Sequence, residues 1–133
     1  MNATRTRSLT AVLTLCALLA AGALSAAERP PADGSGSPRP AVLVFGLGSR
    51  CRYCVQLKQE IAKVTQITGD AVQFKDYRVD RDQEMVRKYR VVLSPTLVFL
   101  DAGGTEVFRH QGLLDAAQIR ERLVALRFWG GKG

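Results

Sequence analysis

Two cysteines three positions apart, in the stretch GSRCRYC from Gly48 to Cys54, are the residues of this 133-residue chain whose type and spacing could do chemistry. Such a pair can exchange electrons with other thiols, supply two ligands to a metal ion, or close a short structural staple. The staple is a weak reading, because a disulfide across three residues closes a very small loop and removes little freedom from the unfolded chain. A structural zinc site wants four ligands, and beyond residue 27 the only other imidazole or soft ligands are His110 and Met85. Copper carriers supply further soft ligands that are missing here. His110 reads instead as a hairpin residue turned to solvent. No metal is assigned, and thiol exchange is the leading reading.

Whether such a pair is kept reduced or oxidised depends on the compartment. Residues 1–27 have the make-up of a secretory signal peptide: a basic start, MNATRTRS, an apolar stretch, LTAVLTLCALLAAGAL, too short for a comfortable membrane span, and the small residues of SAAE. Ser25 and Ala27 fit the positions before a cut, which puts the mature N-terminus at Glu28. Cys16 lies inside the apolar stretch, but Leu15 before it is bulky where lipoprotein cleavage wants a small residue. The expectation is an exported chain, secreted and periplasmic, without a membrane attachment once the signal is removed. Loss of Arg5 and Arg7 from 19 basic residues leaves 17 against 12 acidic ones, a mild excess of five. Basic and acidic residues alternate, with no lysine run and no interleaved aromatics, which argues against nucleic acid as a partner.

The elements that must position the cysteines follow from periodicity. Residues 28–40, ERPPADGSGSPRP, are rich in Pro, Gly and Ser and read as a flexible leader. AVLVFGLG is a continuous apolar run, the pattern of a strand covered on both faces, and it leads straight into Cys51. Cys54, Leu57, Ile61 and Val64 then recur on one face of a helix running to about Gly69. AVQFKDYRVD predicts a second strand, and DQEMVRKY, with Asp82 as its N-cap, a short helix. TLVFLDAGGTEVFRH predicts a hairpin through a Gly-Gly turn. DAAQIRERLVAL opens with a capping-box pattern, Asp115 and Gln118, and sets Ala116, Ile119, Leu123 and Leu126 on one face. Trp129 in RFWGGKG reads as a cover over that closing helix. The expected architecture is α/β: one domain over residues 41–127 with about four mixed strands, helices on both faces, and a tail over 128–133.

This placement makes the two sulfurs unequal. At a helix start, unpaired backbone N–H groups and the positive end of the helix dipole favour negative charge, so Cys51 is more easily a thiolate. Arg50 and Arg52 beside it add to that preference, and its pKa is expected well below the free value of about 8.5. Cys54, one turn on, is expected to be buried and to keep its proton. An exposed attacking sulfur and a second sulfur that resolves the mixed disulfide are what dithiol exchange requires.

With GSRCRYC after a buried strand and LSPTLVFLDAGG before a hairpin, residues 41–127 resemble the thioredoxin superfamily. The resemblance implies a trimmed thioredoxin-like fold, since the leader is too short for the extra first strand and helix of thioredoxins proper. It implies a cis proline at Pro95, 41 residues after Cys54, and a peptide groove shaped by Ser94, Pro95, Thr96 and Tyr53. Gly112 matches a family glycine that leaves room beside the active site. Some positions depart from the pattern: Arg50 stands for the usual tryptophan, and Arg52-Tyr53 for Gly-Pro. Counting six residues back from Cys51, Phe45 stands for the family's buried acid, and Asp76 for its partner lysine. If Asp76 points beneath the active site, it could accept the proton from Cys54.

The reading is a monomeric thiol-disulfide oxidoreductase with no organic cofactor, its partners being protein thiols or disulfides and an upstream redox partner. The alternative is a non-catalytic module of the same fold that holds a partner or a metal ion through the same groove.

Overall fold

The computed structural model describes residues 38–131, so the expected signal segment, Cys16 and most of the expected leader lie outside the described residues. The chain forms strand β1 (Ala41–Gly46), helix α1 (Arg52–Thr68), strand β2 (Gln73–Arg78), helix α2 (Gln83–Lys88), strands β3 (Thr96–Leu100) and β4 (Glu106–Gln111), and helix α3 (Ala116–Ala125). The four strands make one mixed sheet in the order β2-β1-β3-β4. β1 runs parallel to β2 and antiparallel to β3, and β3 and β4 form the hairpin.

Helices cover both faces. Val42 and Val44 of β1 join Leu97 and Phe99 of β3 and the inner faces of α1 and α3 in the larger core. Alternate residues, Leu43, Phe45, Val98 and Leu100, pack on the opposite face against Met85 and Val86 of α2. This two-sided burial is why β1 and β3 read as unbroken apolar runs. Helix α1 buries Cys54, Leu57, Ile61 and Val64, the face expected from their spacing, and ends at Gly69, whose φ of 52° suits a residue without a Cβ. Helix α3 has its capping box, with Asp115 and Gln118 satisfying each other's backbone N–H groups. Its start is also tied to α1, because the Ala116 N–H donates to Glu60 Oε2 at 3.0 Å.

Three local expectations are corrected. Asp82 stands before α2, but its carboxylate turns back to accept from the Arg78 N–H rather than capping the helix. The end of the leader is held in place: Arg39 donates to the Asp70 carbonyl, and the Pro40 carbonyl accepts from Gln73. Phe128 and Trp129 pack against the larger core, so the packed unit extends past residue 127, with Trp129 covering it as expected.

Candidate active site

The site sits at the C-terminal end of β1. A 3-10 turn, Gly48–Arg50, leads to Cys51, which has extended backbone and stands as the N-cap of α1. Its sulfur accepts from the Cys54 N–H at 3.2 Å, doing the work usually done by a serine or aspartate. Cys51 and Cys54 are joined in a disulfide, with their Cα atoms 5.2 Å apart. Cys51 is half-buried, whereas Cys54 is only 4% exposed. The burial expected of Cys54 is therefore present.

The Ser94–Pro95 turn faces this pair. Its peptide bond is cis, and Ser94 Oγ lies 3.4 Å from Cys54 Sγ. The Thr96 side chain is buried and donates to the Leu93 carbonyl at 2.7 Å, so it shapes the turn from behind and does not line a groove. The Gly112 N–H donates to the Pro95 carbonyl at 2.8 Å, and with φ at 106° a side chain there would be strained. Tyr53 stands in solvent, 62% exposed.

The charged residues lie differently from the expectation. Arg50 binds Asp80, Nη2 to Oδ2 2.6 Å. Arg78 grips the same carboxylate through two hydrogen bonds of 3.0 and 2.7 Å. Those hydrogen bonds, then the Arg78 charge and more weakly that of Arg50, hold the Asp80 carboxyl below the usual carboxylate range. The same hydrogen bonds push Arg78 upward. Arg52 is exposed and makes no ion pair among the described residues.

Asp76 is not a buried acid. It is 57% exposed on the edge strand β2 and pairs with Lys58 at 3.2 Å. It does share a small cavity of about 30 Å³ with Val44, Gly46, Cys54, Lys58 and Pro95, room for a single water. The β1 positions on the side of Cys54 are Val44 and Gly46, whereas Phe45 points to the other face and stacks on Tyr77. Side chains alternate along a strand, so adjacent positions such as Val44 and Phe45 face opposite sides of the sheet. His110 is also corrected: it is half-buried against α3, lining a cleft with Phe108, Gln118 and Arg122.

Three residues were missed by sequence reasoning. Gly46 gives room to Cys54, since a Cβ there would lie 3.3 Å from its sulfur. Arg78 lies against Gly48, whose carbonyl accepts from the Cys51 N–H at 3.2 Å. Asp80 joins Arg78 to Arg50. The only sequence signal for them was the strand-end glycine, because strand register, which sets Gly46 opposite Arg78, is not written locally. Among the described residues no group of three or more His, Cys, Asp or Glu could hold a metal ion, and no helix is long and apolar enough to cross a membrane.

The sequence pattern of a thioredoxin-like domain family matches residues 32–127. No curated protein sequence matches. Among solved structures, an uncharacterised thioredoxin-like protein from Clostridium perfringens is 26% identical, with 74% of this chain and 80% of that one covered and a TM-score of 0.60. Fasciola hepatica thioredoxin is 27% identical over 67% and 82% of the two chains, with a TM-score of 0.58. Chloroplastic thioredoxin z, at 22% identity, 68% and 80% coverage and a TM-score of 0.60, shares the fold.

Proposed function

This chain belongs to the thioredoxin-like domain family, and from that premise we propose that it is a thiol-disulfide oxidoreductase acting on protein substrates in an extracytoplasmic compartment. The observation that carries the reading is the disulfide between an N-cap cysteine and a buried one, facing the Ser94–Pro95 turn. In the reducing direction, the Cys51 thiolate attacks one sulfur of a substrate disulfide, forming a mixed disulfide and expelling the first substrate thiolate. Cys54, giving up its proton, then attacks Cys51 Sγ. The second substrate thiolate leaves, the Cys51–Cys54 disulfide forms, and two electrons have passed to the substrate. The oxidising direction is the reverse.

Ser94 and Pro95 bound the groove in which the substrate backbone lies, with Tyr53 at its rim. Export is supported by the make-up of residues 1–27, and a mature monomer without membrane attachment fits the same reading. Insulin reduction by the mature chain, with dithiothreitol as electron source, tests the activity. Turnover above background that is lost in Cys51→Ser is expected, and turnover indifferent to both cysteines would leave only a binding module.

A further inference from the structure

Among the described residues, the excess positive charge falls mostly in two segments of the chain. Residues 38–131 hold fifteen basic and ten acidic side chains. Segments 48–54 and 78–95 hold seven basic against three acidic, and all the other described residues eight against seven, so four of the five excess charges belong to those two segments. The first segment carries the disulfide, and topology puts the two ends of the second at the same end of the sheet. Gly46 lies opposite Arg78 and Phe45 opposite Thr96, so the whole β2–β3 connection leaves from and returns to the end of the sheet that carries Cys51.

The acids in these segments leave most of the charge uncovered. Asp80 is engaged by Arg50 and Arg78, and Asp82 by the Arg78 N–H; only Glu84, at the start of α2, remains. Arg52, Arg87 and Arg90 are exposed and have no carboxylate partner among the described residues. Beside them stands uncovered apolar surface: Val92 is 79% and Leu93 57% exposed, immediately before Ser94. Arg90 is two residues from Val92, at most about 7 Å along the chain, which is within a Debye length at physiological salt. An apolar ridge next to Ser94, with a free cation two residues before it, another in the last turn of α2 and a third beside Cys51, complements an apolar side chain flanked by carboxylates.

We propose that the polypeptide this site takes, as substrate or as redox partner, presents an acidic stretch beside its reactive cysteine. An apolar side chain of that stretch seats against Val92 and Leu93, and its carboxylates face Arg52, Arg87 and Arg90. The inference rests on the thiol-exchange reading and names the class of polypeptide that the reading left open. Attraction of this kind acts chiefly on the encounter rate and on discrimination against like-charged partners, and salt weakens it.

The test uses disulfide-linked peptides with one common core, Cys beside Leu, and flanks of Glu, Ser or Lys. At low ionic strength kcat/KM is expected to fall in the order Glu, Ser, Lys, with about tenfold or more between the extremes, and the gap should close at about 0.5 M salt. In the variant Arg87→Glu with Arg90→Asn the preference should flatten while turnover of the uncharged bis(2-hydroxyethyl) disulfide is unchanged. Asn is chosen because Arg90 has a φ of 49°, a conformation that Asn tolerates. Equal kcat/KM across the three peptides at low salt would overturn the proposal, as would a preference that the variant leaves intact. If neither the peptides nor the small disulfide is turned over, the thiol-exchange reading fails. The charge claim is then decided by peptide binding to Cys51→Ser: tighter binding of the Glu-flanked peptide supports it, and equal Kd values overturn it.

Discussion

Arg50 and Asp80, thirty residues apart, form an ion pair of 2.6 Å that offsets the charge of the guanidinium preceding Cys51. The carboxylate is shared with Arg78, whose guanidinium lies against Gly48 and so against the turn that carries Cys51. Arg50 therefore gives Cys51 less of its charge than adjacency suggests, and Arg52, with no such partner, gives more. Lys58 and Asp76, next to Cys54, offset each other, and the Ser94–Pro95 turn brings no charge. Asp80→Asn should move the alkylation midpoint of Cys51 to lower pH by releasing two cations. Arg52→Ala should move it to higher pH by more than Arg50→Ala does. Alkylation rate against pH in the four proteins checks this, and an Asp80→Asn midpoint at or above that of the wild type contradicts it. Asp80→Glu, which keeps the charge, should restore the original value.

The burial difference between the sulfurs predicts their order of use. Cys54→Ser should accumulate mixed disulfides with substrate proteins, while Cys51→Ser should accumulate few or none, because Cys54 lies beneath the Ser94–Pro95 turn. Non-reducing electrophoresis with mass mapping of the adducts reads the outcome. Adducts on Cys54 in the Cys51→Ser protein would reverse the two roles.

Asp76 is predicted to matter little. An exposed pair such as Lys58–Asp76 contributes at most about 1 kcal/mol, and the carboxylate is already in water. Asp76→Asn should change the rate of Cys54 attack on a preformed mixed disulfide by less than about threefold, which corresponds to under 1 kcal/mol of barrier. A rapid-mixing measurement across pH showing a larger loss would reinstate this residue as a proton acceptor.

Acid stability has a named contributor in Glu60. Its carboxylate takes a hydrogen bond from Lys63 and a second from the Ala116 N–H, and together they lower its pKa from the ordinary 4.5. A folded-state pKa below the unfolded one means that the contribution is present above about pH 4.5 and is lost as pH falls through the folded value. Glu60→Gln should therefore show a shallower fall in urea midpoint over that acid range, and a lower midpoint at pH 7. Parallel curves for the two proteins below pH 5 would exclude the role.

Much of this architecture was legible because apolar periodicity is local. The run from Ala41 to Phe45 could only be a strand buried on both faces, and the spacing of Cys54, Leu57, Ile61 and Val64 could only serve a helix with one inner face. The cysteine pair and Pro95 were legible by type. What was not legible depends on register and direction. Counting back from Cys51 landed on Phe45, but a count along the sequence does not say which face of the strand a residue takes, and Phe45 lies on the face away from Cys54. Nothing near Asp80 announces that it will meet Arg50, since that contact exists only once β2 lies parallel to β1. Asp82 spelled a helix cap, yet the Arg78 N–H competed for the same carboxylate and won.

The sheet order leaves β2 and β4 as its two margins. An unpaired margin is a template on which a second copy could zip its own strand, the first step toward an aggregate. Lys75, Asp76 and Arg78 stud one margin, and Glu106 and Arg109 the other. Any strand that docked in register on either would have to strip water from those charges. Replacing Lys75 and Glu106, which lie outside the disulfide site, with Thr or Val should turn a discrete protein into one that precipitates on concentration, with the disulfide site still intact inside the deposit.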